Sequence, residues 1–211
     1  MSRIESHQAK ANSSPKLTDS ELKKIAKRHL DELTMFFRYT AILSIMEKCC
    51  NNNHIHLHFL RILQTALTND RTTRIIRVFD EDSFNIIEVL NQRGELSKTI
   101  LDKQNINKKE FKDFAKKVLK FRNKYFFHID KVNANLSFCP TKELWDEFGL
   151  TNEYIIHVAT NAQSALTQFH NHLFQDCEYK NQTYTGDDFE KIIELINTKD
   201  ISFFILAHHI Y

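Results

Sequence analysis

Only 3 glycines and 2 prolines interrupt the 211 residues of this chain. Such a sequence has few places to break a helix, and its frequent Leu, Ile, Phe and Lys favour one. A Gly-rich phosphate loop is excluded for the same reason, which argues against nucleotide-hydrolysing folds. The expected class is all-α: an antiparallel helical bundle with additional C-terminal helices. A length of 211 residues suits one domain and is ample for a buried core.

Reading along the chain, residues 1–16 are polar, with Ser13-Ser14-Pro15 near their end, and read as a flexible tail. Residues 17–211 read as a single helical domain whose C-terminal extension begins at about 141. Thr18 with Glu21 forms a capping box that opens a helix to about Lys48. Its apolar positions Leu22, Ile25, Leu30, Leu33, Phe36, Phe37, Ile42, Ile45 and Met46 imply near-continuous burial, and Asn51-Asn52-Asn53 is expected to break it. A second long helix is expected over about His54–Phe79, and a short one from Ser83 to Asn91 ends before Gly94. After the helix opened at Asn107 come a short one near Glu143–Phe148 and a long one from Thr151 or Asn152 to about Cys177. A last helix is expected at about Asp188–Asn197. No internal repeat is present.

The helix from Asn107 carries the conflict between pattern and chemistry that marks a functional site. Asn107 and Glu110 read as a capping box, and Phe111, Phe114, Val118, Tyr125 and Ile129 keep helical steps to roughly Lys131. Arg122 falls on the stripe that faces the core, and His128 continues the row of Phe114 and Phe121. A buried guanidinium without a partner costs several kcal/mol, so Arg122 must pair with an acid or face a cleft or subunit interface. The alternative is an internal arginine and a packed histidine in purely structural roles. Residues six apart lie about 120° apart around a helix. Arg122 and His128 therefore converge only if the helix ends or bends near Phe127, or if a second copy packs across a two-fold axis.

The residue types suit cleavage of RNA by its own 2′-hydroxyl. A histidine with an ordinary pKa of about 6.5 accepts or donates a proton near neutrality. A planar, permanently charged arginine offsets charge growing on the phosphate. Arg122, Asn123 and His128 form the candidate catalytic set, with the Asn123 amide orienting ribose, phosphate or imidazole. Asp130, Lys124 and Tyr125 stand in support: Asp130 either sets the histidine tautomer, caps the helix end or pairs with Lys131. Neither role needs a metal or other cofactor.

The string Arg122-Asn123-Lys124-Tyr125-Phe126-Phe127-His128, followed by Ile129-Asp130-Lys131, resembles the signature of the HEPN superfamily (higher eukaryotes and prokaryotes nucleotide-binding). It looks most like the abortive-infection AbiU-type branch, with an "RNK…HxDK" string. Leu67 to Asp80, ending Arg77-Val78-Phe79-Asp80, is similar to that branch's earlier helix, which ends "R-hydrophobic-FD". The two stretches and the helices between them cover about residues 55–131. The resemblance implies a metal-independent endoribonuclease of antiphage defence or toxin–antitoxin systems, leaving a 2′,3′-cyclic phosphate and a 5′-hydroxyl. It also implies a homodimer with a composite active site, and an antitoxin such as a nucleotidyltransferase as a possible partner. The competing function is a non-catalytic helical dimer that binds a partner protein, nucleotide or RNA with the same surface.

The net charge of +2 does not by itself select a nucleic-acid binder, so local clustering carries the question. Lys108, Lys109, Lys112, Lys116, Lys117, Lys120, Lys124 and Lys131 on the motif helix, with Arg71, Arg74 and Arg77 on the earlier one, suggest a basic surface. Lys120 and Lys131 are its RNA-binding candidates, against the alternative of an ordinary solvated face. Arg74, Arg77 and Asp80, each a turn apart, can line one ridge in which Asp80 could pair with Arg77; such a ridge holds RNA phosphates, positions the motif helix or is a salt-bridged joint between helices, and the last is the favoured reading.

His54-Ile55-His56-Leu57-His58 is a metal chelator only if extended, because a helix turns His56 away from the other two, and no metal site is expected. His170, His172, His208 and His209 read as surface or packing residues. Cys49, Cys50, Cys139 and Cys177 have neither zinc-ligand spacing nor a disulfide pattern, and no apolar run reaches the ~18 residues that span a membrane. With no signal peptide in view, a reducing cytoplasm is the expected location.

Overall fold

The computed structural model describes residues 16–53, 58–80, 84–124, 142–175, 177–180 and 184–191. Among them the fold is all-α: α1 (Asp19–Asn53), α2 (His58–Phe79), α3 (Ile86–Asn91), α4 (Gly94–Lys103), α5 (Lys108–Arg122), α6 (Lys142–Glu147) and α7 (Asn152–Leu173). No described helix is long and apolar enough to cross a membrane.

Capping chemistry sets several starts. Thr18 and Glu21 form the expected reciprocal box, Thr18 N–H donating to Glu21 Oε2 at 3.0 Å and Glu21 N–H to Thr18 Oγ1 at 3.3 Å. Thr151, rather than Asn152, caps α7, its hydroxyl accepting from Tyr154 N–H. Asn107 caps α5 by accepting from Lys109 N–H at 2.9 Å. Its expected capping-box partner is turned elsewhere: Glu110 Oε1 lies 3.5 Å from His157 Nε2 on α7. The packing of α7 beside α5 thus competes with a local bond and wins.

Four expectations about boundaries change. α1 runs through Asn51, Asn52 and Asn53, because asparagine is a weak helix former and not a breaker like proline. α3 begins only at Ile86, where buried Asn85 accepts from the N–H groups of Ile87 (2.9 Å) and Glu88 (3.1 Å). α4 was not anticipated: Gly94 opens this helix instead of merely ending the preceding one, and buried Ser97 ties it back by donating to Leu90 O. α7 ends at Leu173, with Phe174 leaving helical geometry, and not at Cys177. α2 is described from His58, and the stretch expected to start it at His54 lies outside the described residues, as does the 81–83 segment.

α1 and α2 run antiparallel. Phe36 lies under Arg71, Glu32 meets Arg74 and Arg77, His29 meets the Phe84 carbonyl and Leu17 meets Gln92, so rising numbers on one strand of the hairpin match falling numbers on the other. One apolar core joins these elements to α5 and α7. Phe79 packs edge-on against Phe111 and Phe114, with ring centroids 6.0 and 4.7 Å apart, and Phe114 continues to Tyr154 at 5.6 Å. Ala159, Ala162 and Ala165, all fully buried, let neighbouring helices approach α7 closely. In α1 the expected stripe holds for Leu22, Leu30, Leu33, Phe36 and Met46, whereas Ile25, Phe37, Ile42 and Ile45 are only half-buried. Beyond α7, Tyr179 pins the chain to α1: its backbone brackets the Asn171 amide, and its hydroxyl meets Thr34 Oγ1 at 3.0 Å and Asp31 Oδ1 at 3.3 Å. Residues 187–191 are helical.

Candidate functional site

The C-terminal end of α5 is built from the core outward. Phe121, fully buried, stacks on Trp145 at 4.1 Å and meets Phe148 edge-on at 6.0 Å, so α6 and the turn after it seat against the last turn of α5. With Phe121 anchored, Arg122 is directed along the neighbouring face toward the end of α2. Asn123 and Lys124 continue the chain as a π-type widening of the helix, a local departure that recurs at functional sites.

Arg122 is the half-buried cation that the stripe required to be partnered, and its acid is Asp80. Arg122 Nη1 lies 2.5 Å from both Asp80 oxygens, with the two side chains only 14% and 18% exposed. Nε and Nη2 both donate to Asn123 Oδ1, at 3.3 and 3.1 Å. The guanidinium is therefore clamped from two sides, by a carboxylate 42 residues away and by the amide of the next residue. Fixing the plane of a guanidinium reduces the ordering needed when it engages another anion. Asn123 orients arginine here through its oxygen, while its exposed amide nitrogen makes no hydrogen bond among the described residues.

Asp80 takes a different partner from the one that its helical row offered. Its N–H still donates to Ile76 O at 2.8 Å at the end of α2, but its carboxylate faces Arg122 on α5 rather than Arg77. Arg77 Nη1 is instead held by Glu32 Oε1 at 3.3 Å, while Arg74 bonds Glu32 Oε2 at 2.9 Å and Asp70 Oδ2 at 3.2 Å. Glu32, 9% exposed in its side chain, knits α1 to α2 through both arginines. The salt-bridged joint favoured from sequence is thus present, with Glu32 in the place expected for Asp80. The only advance signal for Asp80 was its position immediately after Phe79 in the "R-hydrophobic-FD" string.

The expected basic surface divides. Arg71 is not part of it: its guanidinium lies over the Phe36 ring and donates to Asn152 Oδ1, and burial lowers its pKa to about 10. Lys124 pairs with Glu147 Oε1 at 2.5 Å, Lys117 reaches Gly149 O and the Tyr154 ring, and Lys108 donates to Asn91 Oδ1. Lys120 is exposed. Tyr125, His128, Asp130 and Lys131 lie outside the described residues, as do His54, His56 and Cys139.

Of the histidines read as surface or packing residues, His170 is buried against Phe174 and Tyr179 and His172 is exposed. No three His, Cys, Asp or Glu side chains converge as a metal site among the described residues. The site gathered at the end of α5 is thus an arginine held by Asp80 and Asn123, and no protein-family model, curated protein or solved structure matches the chain to put a family name to it.

Proposed function

We propose that this protein is a metal-independent endoribonuclease of the HEPN type, acting as a homodimer in antiphage defence or as a toxin, with Arg122, Asn123 and His128 as its catalytic residues. The observation that carries the reading is the doubly clamped Arg122. In the reaction the RNA 2′-oxygen attacks its own phosphorus as the bond to the 5′-oxygen breaks. His128 takes the proton from the 2′-hydroxyl or delivers one to the leaving oxygen. Arg122 offsets the charge on the non-bridging oxygens, and the amide nitrogen of Asn123 hydrogen-bonds the phosphate or ribose. The products are a 2′,3′-cyclic phosphate and a 5′-hydroxyl. The cysteine pattern suggests a reducing cytoplasm as the setting, and the resemblance an antitoxin such as a nucleotidyltransferase as a partner.

One observation favours the second reading, a non-catalytic helical dimer that binds protein, nucleotide or RNA. The charge of Arg122 is already balanced by Asp80, as in a structural ion pair. The two readings separate in an RNA-cleavage assay in EDTA with wild type, Arg122→Ala and His128→Ala, each checked for folding and dimerisation. Cleavage by wild type that disappears in both folded variants supports the ribonuclease. Cleavage that persists unchanged in His128→Ala removes the mechanism, and no cleavage of total RNA by wild type favours the binding role.

A further inference from the structure

Four lysines of α5 stand apart from every other cation on that helix. Lys109, Lys112, Lys116 and Lys120 are exposed and form no ion pair or hydrogen bond through their ammonium groups among the described residues. At 100° per residue they fall within an arc of about 80°, and Asn123 lies in the same arc. The row is about 16 Å long, with one charge every 4.5–6 Å or so, and leads to the end of α5 where Arg122 is clamped. A line of single charges is the geometry of a track for a polyanion, not of a pocket for one small anion.

A solvated face is the ordinary explanation for exposed lysines, and three features speak against it. Successive lysines of the row are i,i+3 or i,i+4 neighbours of one another, which is destabilising, and Asp113, four residues after Lys109 and three before Lys116, is the one acid set among them. Lys109 and Lys112 crowd the N-terminal end of α5 beside Lys108, where the helix dipole disfavours cations. The acids within reach by spacing do not neutralise the row: Glu110 faces His157, and Asp113 pairs with none of the four among the described residues. By contrast, the nearby groove of about 620 Å³ between α4 and the start of α5 is charge-balanced, with Glu95 and Asp102 set against Lys98 and Lys108.

From this we infer that the Lys109–Lys112–Lys116–Lys120 row is the track along which single-stranded RNA approaches Asn123, its phosphates following the axis of α5. The inference deepens the ribonuclease reading and rests on it for the substrate class. Binding tests it independently of cleavage. A fluorescently labelled 2′-O-methyl RNA 12-mer, which lacks the attacking hydroxyl, is titrated with the full chain over a salt series. Lys112→Gln/Lys116→Gln is compared with Lys24→Gln/Lys48→Gln, the same charge change on exposed positions of α1. The expected result is a salt slope shallower by about 1.4 and roughly tenfold weaker binding at 0.15 M salt for the first pair only.

Equal losses in both pairs, no RNA binding by wild type, or preferential binding of anionic phosphatidylserine vesicles would overturn the track. Binding that depends on the row without cleavage of unmodified RNA keeps the track and discards the ribonuclease. Cleavage indifferent to the row does the reverse. Removing like-charge neighbours relieves repulsion, so the Gln variants are expected to fold, as thermal melting checks.

Discussion

The clamp on Arg122 gives the sharpest prediction. Asp80→Asn preserves shape but removes the charge that faces Nη1 at 2.5 Å. Two unit charges about 4 Å apart attract by roughly 4 kcal/mol at an effective dielectric of 20, and the desolvation of both groups opposes this. With side chains 14% and 18% exposed, the pair lies between a surface bridge, worth at most about 1 kcal/mol, and a fully buried one whose rupture costs about 3–5 kcal/mol. Asp80→Asn is therefore expected to cost about 2–3 kcal/mol in urea unfolding, and Arg122→Gln a similar amount. The double variant should fall short of their sum by about 1.5–2 kcal/mol. If the two single effects add to within about 0.5 kcal/mol, Asp80 does not hold the guanidinium and the reasoning fails. Under the ribonuclease reading, the exchanged pair Asp80→Arg/Arg122→Asp recovers part of the stability but no cleavage, because the cation has left the end of α5.

Three further outcomes follow from the packing. Glu32→Gln leaves Arg74 and Arg77 without their shared carboxylate, and about 2–4 kcal/mol of stability should be lost by chemical denaturation, more than for an exposed acid such as Asp31. Burial lowers the pKa of His29, with the bond to the Phe84 carbonyl opposing it in part. The unfolded chain thus binds the extra proton first: stability is complete above about pH 6.5 and falls with decreasing pH, by at most about 1.4 kcal/mol per unit, and His29→Gln should flatten that slope. Asn85→Ala removes the acceptor for two N–H groups at the start of α3, costing about 1–2 kcal/mol in thermal or urea unfolding.

What the sequence determined is what short-range physics controls. The scarcity of helix breakers dictates an all-α chain, Thr18, Asn107 and Thr151 cap the N–H groups that follow them, and the spacing of Phe111, Phe114 and Val118 selects the buried face of α5. Each of these needs only residues within about two turns. The same spacing placed Arg122 on that face and so required a partner, without naming it. The partner is a matter of tertiary structure, because ion pairing follows proximity in space and helical rows constrain it only while the helix lasts. α1 inserts Glu32 between Arg74 and Arg77, and the end of α5 brings Arg122 to the Asp80 carboxylate at the end of α2. In the same way, the seven described lysines from Lys108 to Lys124 become distinguishable only after α6, α7 and the end of α3 have engaged Lys124, Lys117 and Lys108, leaving one row facing solvent.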